Sequence, residues 1–134
     1  MIKDNDREIL IKYRLNQSRQ TIGEVSKLIE SDLLNIAVNR IYYGIFYSLT
    51  ALALNYEYQS SKHFQLMGWF NQKFIKTSII ELKYGKILRD SYKNRSDGDY
   101  APFILFEKDD VLEMQSDMID FIEKIESFLI GLKD

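Results

Sequence analysis

The chain has 134 residues, 46% of them hydrophobic and 28% charged, a formal net charge of −2, six glycines, one proline and no cysteine. That length suits one domain with a core of its own, and the missing cysteines exclude a disulfide scaffold, a thiol nucleophile and any thiolate-held metal. A single histidine, His63, excludes poly-histidine metal sites, while scarce glycine and proline argue against turn-rich β folds and phosphate-cradling glycine loops.

What remains is a compact, mostly helical, intracellular domain. The N-terminal Met-Ile-Lys-Asp-Asn-Asp lacks the apolar core of a signal peptide. Ile11, Leu15, Ser18, Ile22, Val25 and Ile29 alternate steps of four and three, which predicts an amphipathic helix over 5–30. Gly23 weakens that helix by about 1 kcal/mol relative to alanine without ending it. Ser31 and Asp32 carry N-cap chemistry for a second helix over 32–56, apolar nearly all round and hence central, antiparallel to the first. Its uncharged stretch, Ile41 to Tyr56, falls short of the roughly 20 apolar residues that a membrane span needs. Gln59-Ser60-Ser61 opens a third helix over 61–75. Thr77 and Ser78 interrupt the chain before a fourth helix over 79–94, with Gly85 a weak point in its middle. Residues 95–107, with Gly98, Pro102, Tyr100, Phe103 and Phe106, predict a loop. A last helix starts near Asp109 with acidic residues at its positive end, and Val111, Met118, Ile122, Ile125, Leu129 and Leu132 mark its apolar face. The expected fold is an all-α bundle of four to five helices built on two long antiparallel hairpins, one domain over 1–134.

The small net charge hides a segregation. Residues 62–95 hold eight basic and two acidic groups, whereas 96–134 hold three basic and eleven acidic ones. Such a division fits either a polyanion partner for the basic stretch or mutual pairing of the two stretches. Their junction, Lys93-Asn94-Arg95-Ser96-Asp97-Gly98-Asp99-Tyr100, is the candidate site. It also has a structural reading, since a helix C-terminus stabilises cations and aspartates suit local turns. Arg40, in an apolar helix with Tyr43 and Tyr47 on its face, needs a partner for which the loop carboxylates are candidates. It either lines the same cleft as Arg95 or forms a structural pair. His63, in the first turn of the third helix, reads as a capping or packing residue or as a general base. Trp69, Phe70 and Phe74 read as core or as a base-stacking platform. Asp109 and Asp110 read as complements to the helix dipole.

Ala37-Val38-Asn39-Arg40-Ile41-Tyr42-Tyr43-Gly44-Ile45-Phe46-Tyr47 is followed by Ser61-Lys62-His63, then by Phe70 and Phe74-Ile75-Lys76. Arg95-Ser-Asp-Gly-Asp99-Tyr100 and a closing acidic helix complete the series. That order and spacing resembles the HEPN family (higher eukaryotes and prokaryotes nucleotide-binding domain), in its small stand-alone prokaryotic branch with an Arg-x3-Asp-Tyr motif. The resemblance covers essentially the whole chain. It implies a cytoplasmic helical bundle that forms a homodimer, with the motif arginines facing each other across a cleft. It further implies metal-independent cleavage of RNA, no cofactor, no membrane, and a small nucleotidyltransferase as partner in a toxin–antitoxin-type module. By that resemblance Arg95, Asp99 and Tyr100 are the expected catalytic residues. Arg40, Tyr43, Lys93 and Asn94 are the expected binding residues, and Tyr100 is also a candidate for nucleotide modification by the partner.

The family signature places a histidine four to six residues beyond the arginine, but here the fifth residue on is Tyr100 and no histidine follows His63. Cleavage through a ribose 2′-hydroxyl needs a base near neutrality and a cation at the phosphorane. Arg95 suits the cation, because a planar guanidinium pairs with phosphate. A tyrosine (reference pKa about 10) and an aspartate (about 3.9) are poor bases at pH 7. The alternative to a nuclease is a non-catalytic helical nucleotide-binding or adaptor protein that kept the fold and lost the chemistry. A third reading is a purely structural dimer with Arg95 pinned to Asp97 or Asp99.

Overall fold

A computed structural model describes residues 3–100 and 104–133, with the side chains of Tyr100 and Lys133 left aside. The four-and-three spacing of the first thirty residues places Ile11, Ser18, Thr21, Val25 and Ile29 on the buried face of α1, Asp4–Glu30. Asp32 then takes a left-handed φ of 57°. Its N–H donates to the Ile29 carbonyl at 3.0 Å and that of Leu33 to the Leu28 carbonyl at 2.9 Å. Ser31 and Asp32 therefore finish α1 instead of capping the next helix, correcting the expected start at 32. The helix α2, Leu34–Asn55, begins from Leu33 with no side-chain cap.

Nearly every turn of α2 is apolar on all sides, and it is the centre of the bundle, in contact with α1 and with each of the three later helices. Its closest approach is at Gly44. Ser18 Oγ of α1 donates to the Gly44 carbonyl at 3.0 Å. A Cβ on Gly44 would stand 2.8 Å from Met118 Sδ and 3.2 Å from Thr21 Cγ2. The helix α3, His63–Phe70, runs into a π-helical turn, Asn71–Ile75. Ser78, at φ 60°, turns the chain, and the Ile80 N–H closes back on the Phe74 carbonyl at 2.9 Å.

The helix α4, Leu82–Tyr100, continues through Gly85 and then through Arg95, Asp97, Gly98 and Asp99. This overturns the loop expected over 95–107 for its first six residues, while residues 101–103, Pro102 and Phe103 among them, lie outside those described. Both glycines serve packing. A Cβ on Gly85 would meet Ile75 at 3.2 Å and one on Gly98 would meet Phe106 at 3.1 Å, and neither glycine has a positive φ. The last helix, α5, Lys108–Lys133, lies chiefly on α2 and α1, so the second hairpin is looser than the first. It buries Val111, Met118, Phe121, Ile122, Ile125 and Leu129, whereas Leu132, expected on that face, is 51% exposed.

Phe70 and Phe74 are core residues, and Trp69 lies flat against Tyr58 at 4.9 Å. The opposed charge stretches pair in part with each other. Lys83 bonds Asp120 at 3.0 Å, Lys124 bonds Glu81 at 2.7 Å, and the Tyr84 hydroxyl donates to Asp120 at 2.8 Å. Among the described residues no helix is long and apolar enough to cross a membrane.

The crowding at Gly44 contrasts with Gly23, where nothing approaches within 4 Å of an added Cβ. Gly44→Ala is expected to lower unfolding free energy by about 1–3 kcal/mol through overpacking. Gly23→Ala is expected to raise it by about 0.5–1 kcal/mol through helix propensity alone. Urea midpoints of the two variants test this, and a stable Gly44→Ala would show that the α1–α2–α5 contact is not tight.

Candidate active site

Spacing of three and four along α2 puts Asn39, Tyr42, Tyr43 and Phe46 on one side of that helix. On α4, Tyr92, Arg95 and Asp99 recur at three and four and face them. His63, the first residue of α3, closes the group.

The Arg95 guanidinium carbon lies 4.9 Å from the Tyr42 ring centroid, 5.4 Å from that of Tyr92 and 5.7 Å from that of Tyr43. Each distance is within the range of a cation–π contact. Its polar partners are weak: Nη1 donates to the Tyr43 hydroxyl at 3.4 Å and stands 3.9 Å from an Asp99 oxygen. Its Nε is buried with no hydrogen-bond partner among the described residues. The Asp99 carboxylate accepts from Asn39 Nδ2 at 3.3 and 3.5 Å. Beyond Tyr42, its hydroxyl and His63 Nδ1 are hydrogen-bonded at 2.7 Å, and the imidazole stacks on Phe46 at 4.2 Å.

These contacts set the charge states. Burial pushes the Tyr42 phenol far up, with Arg95 opposing only part of the rise. Burial, aided by the positive charge of Arg95, holds His63 below its ordinary 6.5. At pH 7 the site therefore combines one persistent cation with a neutral phenol and a neutral imidazole.

The structure brings Arg95, Asp99 and Tyr43 together. Tyr100 ends α4, and its side chain lies outside the described residues. Lys93 is exposed on α4. Asn94 turns the other way, its amide 3.8 Å from Met114 Sδ, and lines a small cavity between α2, α4 and α5. Arg40 finds its carboxylate in Glu24 of α1, at 3.7 Å, instead of in Asp97 or Asp99, which corrects the expected partner. It still borders the site, since Arg40 and Arg95 each lie 5.7 Å from the Tyr43 ring centroid. Asn39, Tyr42 and Tyr92 belong to the cluster without having been singled out as site residues, and His63, weighed as a capping or packing residue or a general base, joins them. The signal available for Asn39, Tyr42 and Tyr92 was helical spacing from Tyr43 and Arg95. Among the described residues no three acidic or histidine side chains are grouped to hold a metal ion.

The fold is thus an all-α bundle that holds a mostly buried arginine against three tyrosine rings with a carboxylate 3.9 Å away. The HEPN domain family model matches residues 11–128, and the chain belongs to the HEPN family. It is 32% identical to a UPF0332 protein of Thermotoga maritima over 129 residues, 96% of this chain and 98% of the relative. It is 27% identical to a Methanocaldococcus jannaschii protein named "putative toxin", over 87% of this chain and 80% of the relative. A second protein of that organism with the same name is 34% identical over 68% of each chain.

Because His63 is the only histidine, its ring protons titrate alone in an NMR spectrum. The midpoint is expected below 6.5, and Arg95→Ala is expected to move it upward. Between the folded value and 6.5 the unfolded chain binds a proton that the folded chain refuses, so acidification through that window lowers stability. A midpoint above 6.5, or one indifferent to Arg95→Ala, would refute this account of the site.

Proposed function

We propose that the protein is the RNA-cleaving component of a toxin–antitoxin-type module: a metal-independent endoribonuclease that works as a cytoplasmic homodimer beside a small nucleotidyltransferase. The observation that carries the reading is the state of Arg95. Its side chain is 15% exposed, its Nε has no partner among the described residues, and its carboxylate neighbour stands off at 3.9 Å. A guanidinium held by ring faces keeps both its charge and its planar donor fork for a phosphodiester. The toxin names of the two Methanocaldococcus jannaschii relatives support the same reading.

In this reading Arg95 contacts the scissile phosphate and stabilises charge on its oxygens. Asp99, steadied by Asn39, orients the guanidinium, and Tyr43 bonds to it. Arg40 and Lys93 add positive charge along the strand's path, Asn94 supports α4 from behind, and Tyr100 is the residue that the nucleotidyltransferase modifies. A second reading, the non-catalytic nucleotide-binding or adaptor protein, is favoured by one observation. The carboxylate standing near the signature histidine's position is already engaged by Asn39 and Arg95.

Incubating the full chain with RNA in EDTA separates the two readings. The nuclease reading expects fragments ending in 2′,3′-cyclic phosphate, at least about 100-fold less product from Arg95→Ala, and incomplete recovery in Arg95→Lys. Equal, vanishing activity in wild type and Arg95→Ala would overturn it in favour of the adaptor. Light scattering tests the dimer, whose mass is expected at twice the 15.9 kDa of the chain.

A further inference from the structure

The RNA-cleavage reading supplies a cation but leaves the base without an occupant, and the chain holds one imidazole. His63 lies far from Arg95 in sequence yet shares two ring neighbours with it. Tyr42 bonds its Nδ1 at 2.7 Å while lying under the Arg95 guanidinium, and Tyr43 meets the imidazole edge-on at 6.3 Å while bonding Arg95 through its hydroxyl. Phe46 stacks on the imidazole and fixes its plane. The remaining ring nitrogen, Nε2, has no hydrogen bond among the described residues.

His63 is also the wall of an open groove of about 390 Å³, lined with it by Arg14, Tyr47, Tyr58, Ser60 and Ser61. That volume suits a nucleoside. Tyr47 and Tyr58 line the groove with aromatic rings, Tyr58 with one face already stacked on Trp69. Arg14, which donates to Gln17 at 2.7 Å and has no carboxylate pair among the described residues, offers charge to a flanking phosphate. The titratable or charged groups around the imidazole are thus Arg14 from α1, Tyr42, Tyr43 and Tyr47 from α2, Tyr58 from the connecting segment and Arg95 from α4.

We propose that His63 is the catalytic proton acceptor for a ribose 2′-hydroxyl of an RNA strand that seats one nucleoside in this groove and its phosphate at Arg95, with Tyr42 as the positioning residue. The inference rests on the RNA-cleavage reading. In the productive tautomer the ring proton sits on Nδ1 and is donated to the Tyr42 oxygen, so Nε2 carries the lone pair. The 2′-oxygen forms a bond to phosphorus as its proton passes to Nε2. The bond from phosphorus to the 5′-oxygen breaks, that oxygen keeps the electron pair and takes a proton from water, and the imidazolium returns its proton to solvent. The products are a 2′,3′-cyclic phosphate and a free 5′-hydroxyl, with no other reactant consumed. Arg95 and burial both disfavour the imidazolium in the resting site, which keeps the acceptor ready at neutral pH.

The test uses the full chain, an RNA oligonucleotide and EDTA, with circular dichroism to confirm that each variant folds. His63→Ala is expected to lose about 100-fold or more in kcat with little change in KM. Added imidazole is expected to restore part of the loss, and substituted imidazoles to do so in order of their pKa. The acidic limb of the wild-type pH–rate profile is expected to vanish in His63→Ala and to return with the pKa of the added base. Tyr42→Phe is expected to lower kcat more than it alters KM. Should His63→Ala fail to fold, His63→Gln, which preserves a hydrogen-bonding group, is read by the same kinetics. A folded His63 variant with wild-type kcat and an unchanged acidic limb, or one insensitive to every imidazole, overturns this assignment alone if Arg95→Ala still abolishes cleavage. Absence of Arg95-dependent cleavage in the wild type overturns both this assignment and the reading beneath it.

Discussion

Arg95 sits with 15% of its side chain exposed against the most buried helix of the bundle, so much of the water that would solvate its charge is gone. A cation in that position needs compensation. The three tyrosine faces lying between 4.9 and 5.7 Å away supply part of it, each contact worth about 0.5–2 kcal/mol. The Tyr43 hydroxyl at 3.4 Å and the Asp99 carboxylate at 3.9 Å add little, because both are beyond good hydrogen-bond length. None of these partners cancels the charge, and its field reaches the neighbouring titratable groups. It adds to the lowering of His63 that burial chiefly causes, and it works against the burial-driven rise of Tyr42 without reversing it. One cation thus stands beside a phenol and an imidazole that bond to each other while both remain neutral.

Such an arrangement requires a platform that does not yield, and α2 provides it by being enclosed. Tyr42 is fully buried, and just beyond it Gly44 lets α1 and α5 close to within van der Waals distance of the backbone. The short α3 brings His63 onto Phe46, and the π-helical turn that follows seats Phe74 and Ile75 in the core. The segregated charge is handled by position along α4. Near its start Lys83 is neutralised by Asp120, and Glu81 just ahead of it takes Lys124 from α5. Near its end Arg95 keeps only the distant Asp99. Close pairing of the two stretches and an arginine with one loosely held carboxylate therefore coexist on the same helix.

The helices were legible wherever local chemistry decides them: the apolar periodicity of α1 and α5, the unbroken apolar character of α2 and the stop at Ser78. Local chemistry misled at Arg95–Tyr100, where two aspartates and Gly98 read as a loop. There the glycine answers to Phe106, a contact that no local propensity contains, and Asp99 answers to Asn39 across the helix interface. The partner of Arg40 was misread for the same reason. Glu24 belongs to another helix, and only the register of α1 on α2 brings it near. Of the site, the arginine, Asp99 and Tyr43 were visible from motif order. Asn39, Tyr42 and Tyr92 share their helical faces and were visible in principle by spacing. His63 was visible as a candidate base, but its contact with Tyr42 comes from tertiary packing, since nothing in the sequence between them fixes α3 against the Tyr42 hydroxyl.

The placement of Asp99 explains why the imidazole is useful where it is. On a continuous α4 the residue four beyond Arg95 returns to the same side of the helix, and a carboxylate there is drawn toward the cation. Asn39 holds it through a neutral amide, so the carboxylate steadies the guanidinium without adding a second charge at close range. The imidazole meanwhile arrives from α3 at the hydroxyl end of the Tyr42 ring, whose face lies under Arg95. A carboxylate bonded to His63 would raise its pKa and fill the ring with a second proton near neutrality. Asn39 bonds Asp99 on the Arg95 side of the cluster, and the charge of the arginine adds to burial in lowering the imidazole. A residue that is neither acid nor base thereby keeps the cation and the neutral imidazole compatible within one cluster.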